Sequence, residues 1–162
     1  MLDGAERRSE KENKTMATTS LAVQSVEVQA VPKNGLVLLG RFLFALIFLL
    51  STPGHFSQQT IAFAASQGVP FASLAVPLSG VIELLGGLSI ILGYRARIGA
   101  WLIVLFLLPV TFAMHKFWEI ADPIAAQMQM AMFMKNIALI GGALLMSQFG
   151  PGPLSLDARN SR

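Results

Sequence analysis

The sequence predicts an all-α protein, an integral membrane four-helix bundle with both termini in the cytoplasm. Hydrophobic residues make up 54% of the 162 residues, and charged residues make up only 13%. Soluble domains carry about 25% charged residues, so this composition favours lipid as the solvent. Four apolar stretches are each long enough to cross about 30 Å of hydrocarbon at about 1.5 Å per residue. Lys and Arg collect on one side of these stretches, which indicates the orientation.

Each predicted span is bounded by residues that stop a membrane helix. Pro53-Gly54 removes a backbone donor and loosens the chain after the first span. A polar connector follows, within which residues 61–65 are expected to form a short interfacial helix. Pro77 is expected to kink the second span, and a Gly-Pro-Gly-Pro run that begins at Gly150 stops the fourth. The spans are predicted at residues 35–52, 70–93, 98–115 and 128–149.

The residues outside this region form two tails. Residues 1–34 are polar and cannot build an apolar core, so we expect a disordered cytoplasmic tail. Residues 35–150 form the transmembrane domain, and residues 151–162 form a polar C-terminal tail.

Lys and Arg are distributed unevenly between the two sides of the predicted spans. Five lie in the N-terminal tail, two in the turn at residues 94–97 and two in the C-terminal tail. The connector at 53–69 has none, and the loop at 116–126 has Lys116 alone. Because cytoplasmic segments carry the excess of Lys and Arg, both termini are expected inside. The positive charge then serves topology and anionic lipid, and no nucleic-acid partner is expected.

Three ionisable residues fall inside the predicted spans: Arg41, Glu83 and Lys135. Charges at that depth are costly unless they are paired, protonated or open to water. If the outer ends of the spans are level, a rise of about 1.5 Å per residue puts Glu83 axially between the two bases, about 6 Å from each. We therefore expect Glu83 to pair with Arg41, Lys135 or both, with Asn136 as an added hydrogen-bonding group.

Three interpretations of this polar cluster are open. It could be a structural charge cluster that fixes the register of the helices. It could be a functional site, in which Glu83 accepts a proton or binds a quinone or a polar headgroup. Alternatively, Arg41 could extend to the cytoplasmic surface and never meet Glu83. The sequence assigns no catalytic residue.

Two histidines, His55 and His115, are expected at the outer surface, because one follows the first span and the other ends the third. Two imidazoles at equal depth could ligate a haem or a metal, or contact a quinone carbonyl. Interfacial polar residues are also common at this depth. The alternate methionines of residues 128–134 scatter around a helix, which favours packing over a copper site. No metal is predicted, and the lack of cysteine excludes Fe–S ligation and disulfide chemistry.

Short motifs occur along the chain in a specific order and spacing. They are Gly40-Arg41, Gly54-His55-Phe56, Gly68-Val69-Pro70, Glu83-Leu84-Leu85-Gly86-Gly87, Leu92-Gly93-Tyr94-Arg95-Ala96-Arg97, His115-Lys116-Phe117-Trp118, Asp122-Pro123, Phe133-Met134-Lys135-Asn136 and Phe149-Gly150-Pro151-Gly152 to Leu154-Ser155-Leu156-Asp157. This series resembles the DoxX family of small four-helix bacterial inner-membrane proteins. One position departs from it, because family members often carry Lys where this chain has His55.

The resemblance implies a multi-pass protein of the bacterial inner (plasma) membrane with a link to redox chemistry. It implies an integral subunit or accessory of a membrane quinone-linked oxidoreductase complex, with quinone as the cofactor and a soluble or membrane redox partner. The alternative is a non-catalytic scaffold, assembly or lipid-binding protein whose buried charges are structural. Besides the lipid bilayer, a second copy of the chain is an open partner, since the glycines of the second span could serve a homo-oligomer.

Overall fold

The computed structural model describes residues 34–160, together with Lys11 and Lys14. The expected disordered tail lies almost wholly outside the described residues. All regular structure from residue 34 to 160 is helical. The α-helices are α1 (Asn34–Ser51), α2 (Gln58–Ser66), α3 (Ala72–Leu92), α4 (Ala96–Met114), α5 (Pro123–Phe149) and α6 (Leu156–Asn160), with 3₁₀ turns at Thr52–Phe56 and Phe117–Glu119.

The predicted all-α membrane bundle is confirmed at the level of helix number, length and composition. Within the described residues, four helical segments are long and apolar enough to cross a membrane. They are Gly35–Phe56, Ala72–Leu92, Ala96–Glu119 and Pro123–Phe149.

The last membrane helix begins five residues before the predicted start at residue 128, because Asp122 and Pro123 form a helix start. The Asp122 carboxylate accepts a hydrogen bond of 2.7 Å from the Ala125 N–H. Pro123 stands at the first helical position, where its missing N–H costs nothing. The predicted loop is therefore shorter than expected.

The core of the bundle forms where α3 packs against α1 and α4, and α4 packs against α5. Phe48, Ile90 and Ile103 are among its fully buried side chains. The α3–α4 contact depends on small residues: a Cβ on Gly86 would lie 2.8 Å from Ile103 Cδ1 and 3.1 Å from the Gly99 carbonyl oxygen. The two backbones can approach this closely because neither glycine has a side chain.

The short helix α2 covers the N-terminal half of α3. Its residue Ala64 packs with Ala72 and Val76 in a second, smaller apolar cluster. Ser57 caps the helix by accepting a 3.2 Å hydrogen bond from the Thr60 N–H. A helix was predicted here over residues 61–65, and the observed one is longer at its N-terminus. We call this end of the bundle the connector end.

The opposite end of the bundle, the turn end, is closed by the C-terminal segment. The Asp157 carboxylate accepts hydrogen bonds from the backbone N–H groups of Arg95 (2.7 Å) and Ala96 (3.1 Å). The Asp157 N–H in turn donates to the Gly93 carbonyl at 2.9 Å. Asp157 therefore supplies the cap that the first turn of α4 lacks locally, since Arg95 makes no side-chain cap.

The orientation of the bundle is a prediction that two single-cysteine variants can test, because the chain has no cysteine of its own. Ala121 and Arg159 are both exposed, at the connector end and the turn end respectively. The variants are expressed in intact cells whose outer membrane has been made permeable. A membrane-impermeant maleimide added to these cells should label Ala121→Cys. Arg159→Cys should react only after lysis. The reverse pattern would contradict the cytoplasmic termini.

Candidate functional site

Glu83 lies at the centre of a polar cluster inside the bundle, with an exposed fraction of 1%. Its Oε1 atom accepts a hydrogen bond of 2.5 Å from the Ser51 hydroxyl. Its Oε2 atom lies 3.2 Å from His55 Nδ1. This second contact lacks hydrogen-bond geometry, so it is an ion pair when the imidazole is protonated. Both carboxylate oxygens thus have a polar neighbour from the chain itself.

The local sequence explains how His55 reaches a buried carboxylate. The α-helix of α1 ends at Ser51, and the 3₁₀ turn Thr52–Phe56 carries the chain across α3. The crossing point is Gly80, where an added Cβ would lie 2.6 Å from the His55 Cβ. The imidazole then packs edge-on against the Phe106 ring, at 5.5 Å between ring centroids. Only glycine at position 80 leaves room for this approach.

Arg41 does not meet Glu83, so the expected contact between them is not formed. Arg41 is 3% exposed, and its guanidinium donates a hydrogen bond to the Leu154 carbonyl at the turn end. Asp157 lies close enough to act on its charge. Ser51 of α1 is level with Glu83 of α3. Arg41 lies ten residues before Ser51, and Gly93 lies ten residues after Glu83, at the same end of the bundle. The axial separation of Arg41 and Glu83 is therefore about 15 Å.

The predicted depths of Arg41 and Glu83 are wrong because the outer ends of α1 and α3 are not level. Thr52–Phe56 and α2 occupy the space beside the N-terminal half of α3, so α1 ends deep in the bundle. The third interpretation left open above is thus right in that Arg41 avoids Glu83, but Arg41 is buried at the turn end and does not extend to the surface.

Lys135 and Asn136 face Glu83 across a small cavity of about 180 Å³, here called the polar cavity. Asn136 is 3% exposed, whereas Lys135 is exposed and stands at the rim. The Lys135 charge acts on Glu83 across this space. Within the described residues, however, Lys135 makes no ion pair at contact distance, so the expected direct pairing is not formed.

The two histidines line a second, larger cavity of about 340 Å³, here called the apolar cavity. Most of its wall is apolar, with side chains from α2, α3 and α4. His115 Nδ1 lies 2.8 Å from Gln129 Oε1, which holds that imidazole in place. Both histidines were predicted at the outer surface, but the structure brings His55 to Glu83, with 15% of the His55 side chain exposed.

His55 and His115 line both cavities, so the imidazoles stand between an apolar space and a charged one. Among the described residues, no group of three or more His, Cys, Asp or Glu could hold a metal ion. The methionines of residues 128–134 are exposed on α5. The arrangement is suited to moving a proton between Glu83 and a ligand through an imidazole.

Ser51 and Gly80 are the residues that sequence reasoning missed. Gly80 lies three positions before Glu83, on the same face of α3. That spacing was the available signal that another element crosses α3 beside the carboxylate. Ser51 gave a weaker signal, as the last hydroxyl residue before the Thr-Pro-Gly sequence.

Comparison with known proteins identifies the family. Residues 36–116 match the DoxX family. The inner membrane protein YphA of Escherichia coli K12 is 32% identical over 126 residues, which cover 76% of this chain and 89% of YphA. The chain belongs to the DoxX family. A second relative, the inner membrane protein YqjF of the same organism, is 32% identical over 123 residues, covering 75% of this chain and 88% of YqjF.

The family match places this DoxX protein in the bacterial inner membrane, as its sequence predicted. The matched region contains Arg41, His55 and Glu83, together with His115. It ends before Lys135, so the α5 side of the polar cavity lies beyond it. No solved structure matches the chain.

A double-mutant cycle tests the contact between His55 and Glu83. His55→Gln, Glu83→Gln and the double variant are compared by the free energy of unfolding in a mild detergent. Because the His55 and Glu83 side chains are in contact and only 15% and 2% exposed, we expect a coupling energy of about 1–3 kcal/mol. The matched control is the pair Lys116 and Glu119, which lie 3.7 Å apart with Glu119 exposed; it should couple by less than about 1 kcal/mol. Equal coupling in the two pairs would contradict the contact.

Proposed function

We propose that this DoxX protein is an integral subunit or accessory of a membrane quinone-linked oxidoreductase complex, and that the quinone ring binds in the apolar cavity. The observation that supports this most directly is a cavity of about 340 Å³ that has a predominantly apolar wall and two imidazoles. Small-molecule sites commonly have volumes of about 300–1,000 Å³, apolar walls and a few converging polar groups.

The polar groups of the cavity match the chemistry of a quinone. A quinone has an apolar ring and two carbonyl acceptors, and its reduction to quinol takes up two electrons and two protons. His55 and His115 can donate to the carbonyls, and each imidazole, when protonated, can give up one of the two protons. The Glu83 carboxylate, 3.2 Å from His55, stabilises the protonated form of that imidazole. The chain thus supplies binding and protons.

A partner protein supplies the electrons in this proposal. The chain has no cysteine, so it cannot carry an Fe–S cluster or a redox disulfide on its own sulfur atoms. The partner is identified by its chemistry, as a soluble or membrane protein with a one- or two-electron redox centre.

A second candidate function, a non-catalytic scaffold, is favoured by one specific observation. Both oxygens of Glu83 already contact Ser51 or His55. The cluster therefore holds α1, the 3₁₀ turn and α3 together without a ligand, as a structural role requires.

Photoaffinity labelling with an azido-quinone in membranes tests the proposal. Label should attach to the residues that line the cavity. Those of α2 and α3 lie within residues 60–79, and those of α4 and the segment after it lie within residues 109–115. Ala75→Phe fills the cavity from the α3 wall and should reduce labelling by about tenfold. The control is Ala131→Phe, at an exposed position of α5, which should leave labelling unchanged.

Purification of the tagged protein in a gentle detergent provides the second arm of this test. A stoichiometric oxidoreductase and extractable quinone should co-purify with the wild-type protein. The absence of a specific label, of quinone and of a redox partner would overturn the proposal and support the scaffold.

A further inference from the structure

The charges around the polar cavity do not pair completely with one another. Its titratable lining groups are Glu83 of α3, His55 of the 3₁₀ turn, His115 after α4 and Lys135 of α5. The element α1 contributes the hydroxyl of Ser51, and α5 also contributes an amide; the remaining lining residues are apolar. Glu83 is in contact with Ser51 and His55 and not with Lys135, although its Oε2 atom accepts no hydrogen bond.

Lys135 therefore lacks an anion at contact distance in the part of the chain that the structure describes. It stands at the rim of the cavity, on a helix that is long and apolar enough to cross the membrane. An ammonium group at such a depth is costly unless an anion or water compensates it. With a neutral His55, Lys135 and Glu83 balance in charge; protonation of His55 leaves one positive charge in excess.

We propose that the polar cavity binds the anionic head of a lipid-soluble amphiphile together with one proton. Lys135 contacts the anion, and the His55–Glu83 pair holds the proton. The ligand class is a carboxylate, an enolate or a phenolate attached to an apolar body, which the neighbouring apolar cavity accommodates. The proposal goes beyond the quinone function, because the carboxylate of a fatty acid can contact Lys135 in the same way as the anionic oxygen of a deprotonated quinol.

The proton balance of binding is complete without any redox step. A ligand that arrives as the acid breaks its O–H bond, and the electron pair stays on the oxygen that faces Lys135. The proton passes to His55, whose imidazolium is held by Glu83 at 3.2 Å. When the ligand arrives as the anion, His55 takes up its proton from the buffer, and the ligand stays an anion. In either case two cations and two anions then occupy the site, and the net charge is zero.

Isothermal titration calorimetry in lipid nanodiscs tests this coupling at neutral pH. Three probes are compared: 2-hydroxy-1,4-naphthoquinone, which is an anion; its neutral 2-methoxy analogue; and decanoate, an anion that is not a quinone. Titration in two buffers of different ionisation enthalpy gives the number of protons taken up. We expect the two anions to bind with uptake of about one proton, at least about tenfold more tightly than the neutral analogue.

Variants separate the two roles in the proposal. Lys135→Gln should weaken binding of both anions by about tenfold or more and leave the neutral analogue unchanged. Lys135→Arg should retain the preference, because it keeps the charge. His55→Gln should remove the proton uptake. The control is Lys116→Gln, which removes an ammonium that lies 3.7 Å from Glu119 and lines neither cavity.

The outcomes distinguish this inference from the proposed function. Equal affinity for the anionic and neutral naphthoquinones, without proton uptake, overturns the inference and leaves the quinone site standing. Binding of decanoate with proton uptake, but of neither naphthoquinone, supports the inference for carboxylates, removes enolates from the ligand class and overturns the quinone function. Failure of all three probes to bind overturns the inference.

Discussion

The structure depends on the need to satisfy one carboxylate inside an apolar bundle. Glu83 is 1% exposed, and an unpaired carboxylate in that position would cost several kcal/mol. Its neighbours, Ser51 and His55, come from the end of α1 and the turn after it. These contacts set the register of α1 against α3 and require a glycine at position 80, where His55 crosses.

That register determines how the other charges are accommodated. With Ser51 level with Glu83, Arg41 falls at the turn end, where the Leu154 carbonyl accepts from its guanidinium. The C-terminal segment that supplies this carbonyl is held by Asp157 on the α3–α4 turn. Lys135 remains beside the polar cavity without an ion pair among the described residues. The charges of the spans thus occupy two separate environments: Arg41 lies at the turn end, and Glu83 and Lys135 line the polar cavity.

The sequence predicted the number and bounds of the membrane helices well, but it predicted their relative positions along the bundle axis poorly. Helix number and approximate bounds follow from apolar length, which lipid imposes on each segment separately. The start of α5 was predicted five residues too late, although the Asp122-Pro123 cap is a local signal that the sequence contains. The pairing of Glu83 could not be predicted, because it depends on how deep α1 ends, and a 3₁₀ turn plus α2 beside α3 decide that through tertiary packing. For the same reason His55 was predicted at the outer surface, away from Glu83, whereas the structure places the two in contact.

Solid-state NMR of the protein in bilayers tests the central contact most directly. With nitrogen-15 in histidine and arginine and carbon-13 in glutamate, the separation of 3.2 Å between His55 Nδ1 and Glu83 Oε2 predicts strong dipolar dephasing between imidazole and carboxylate. This signal should disappear in Glu83→Gln. Dephasing between the Arg41 guanidinium and Glu83, with none to histidine, would contradict the register and the account built on it.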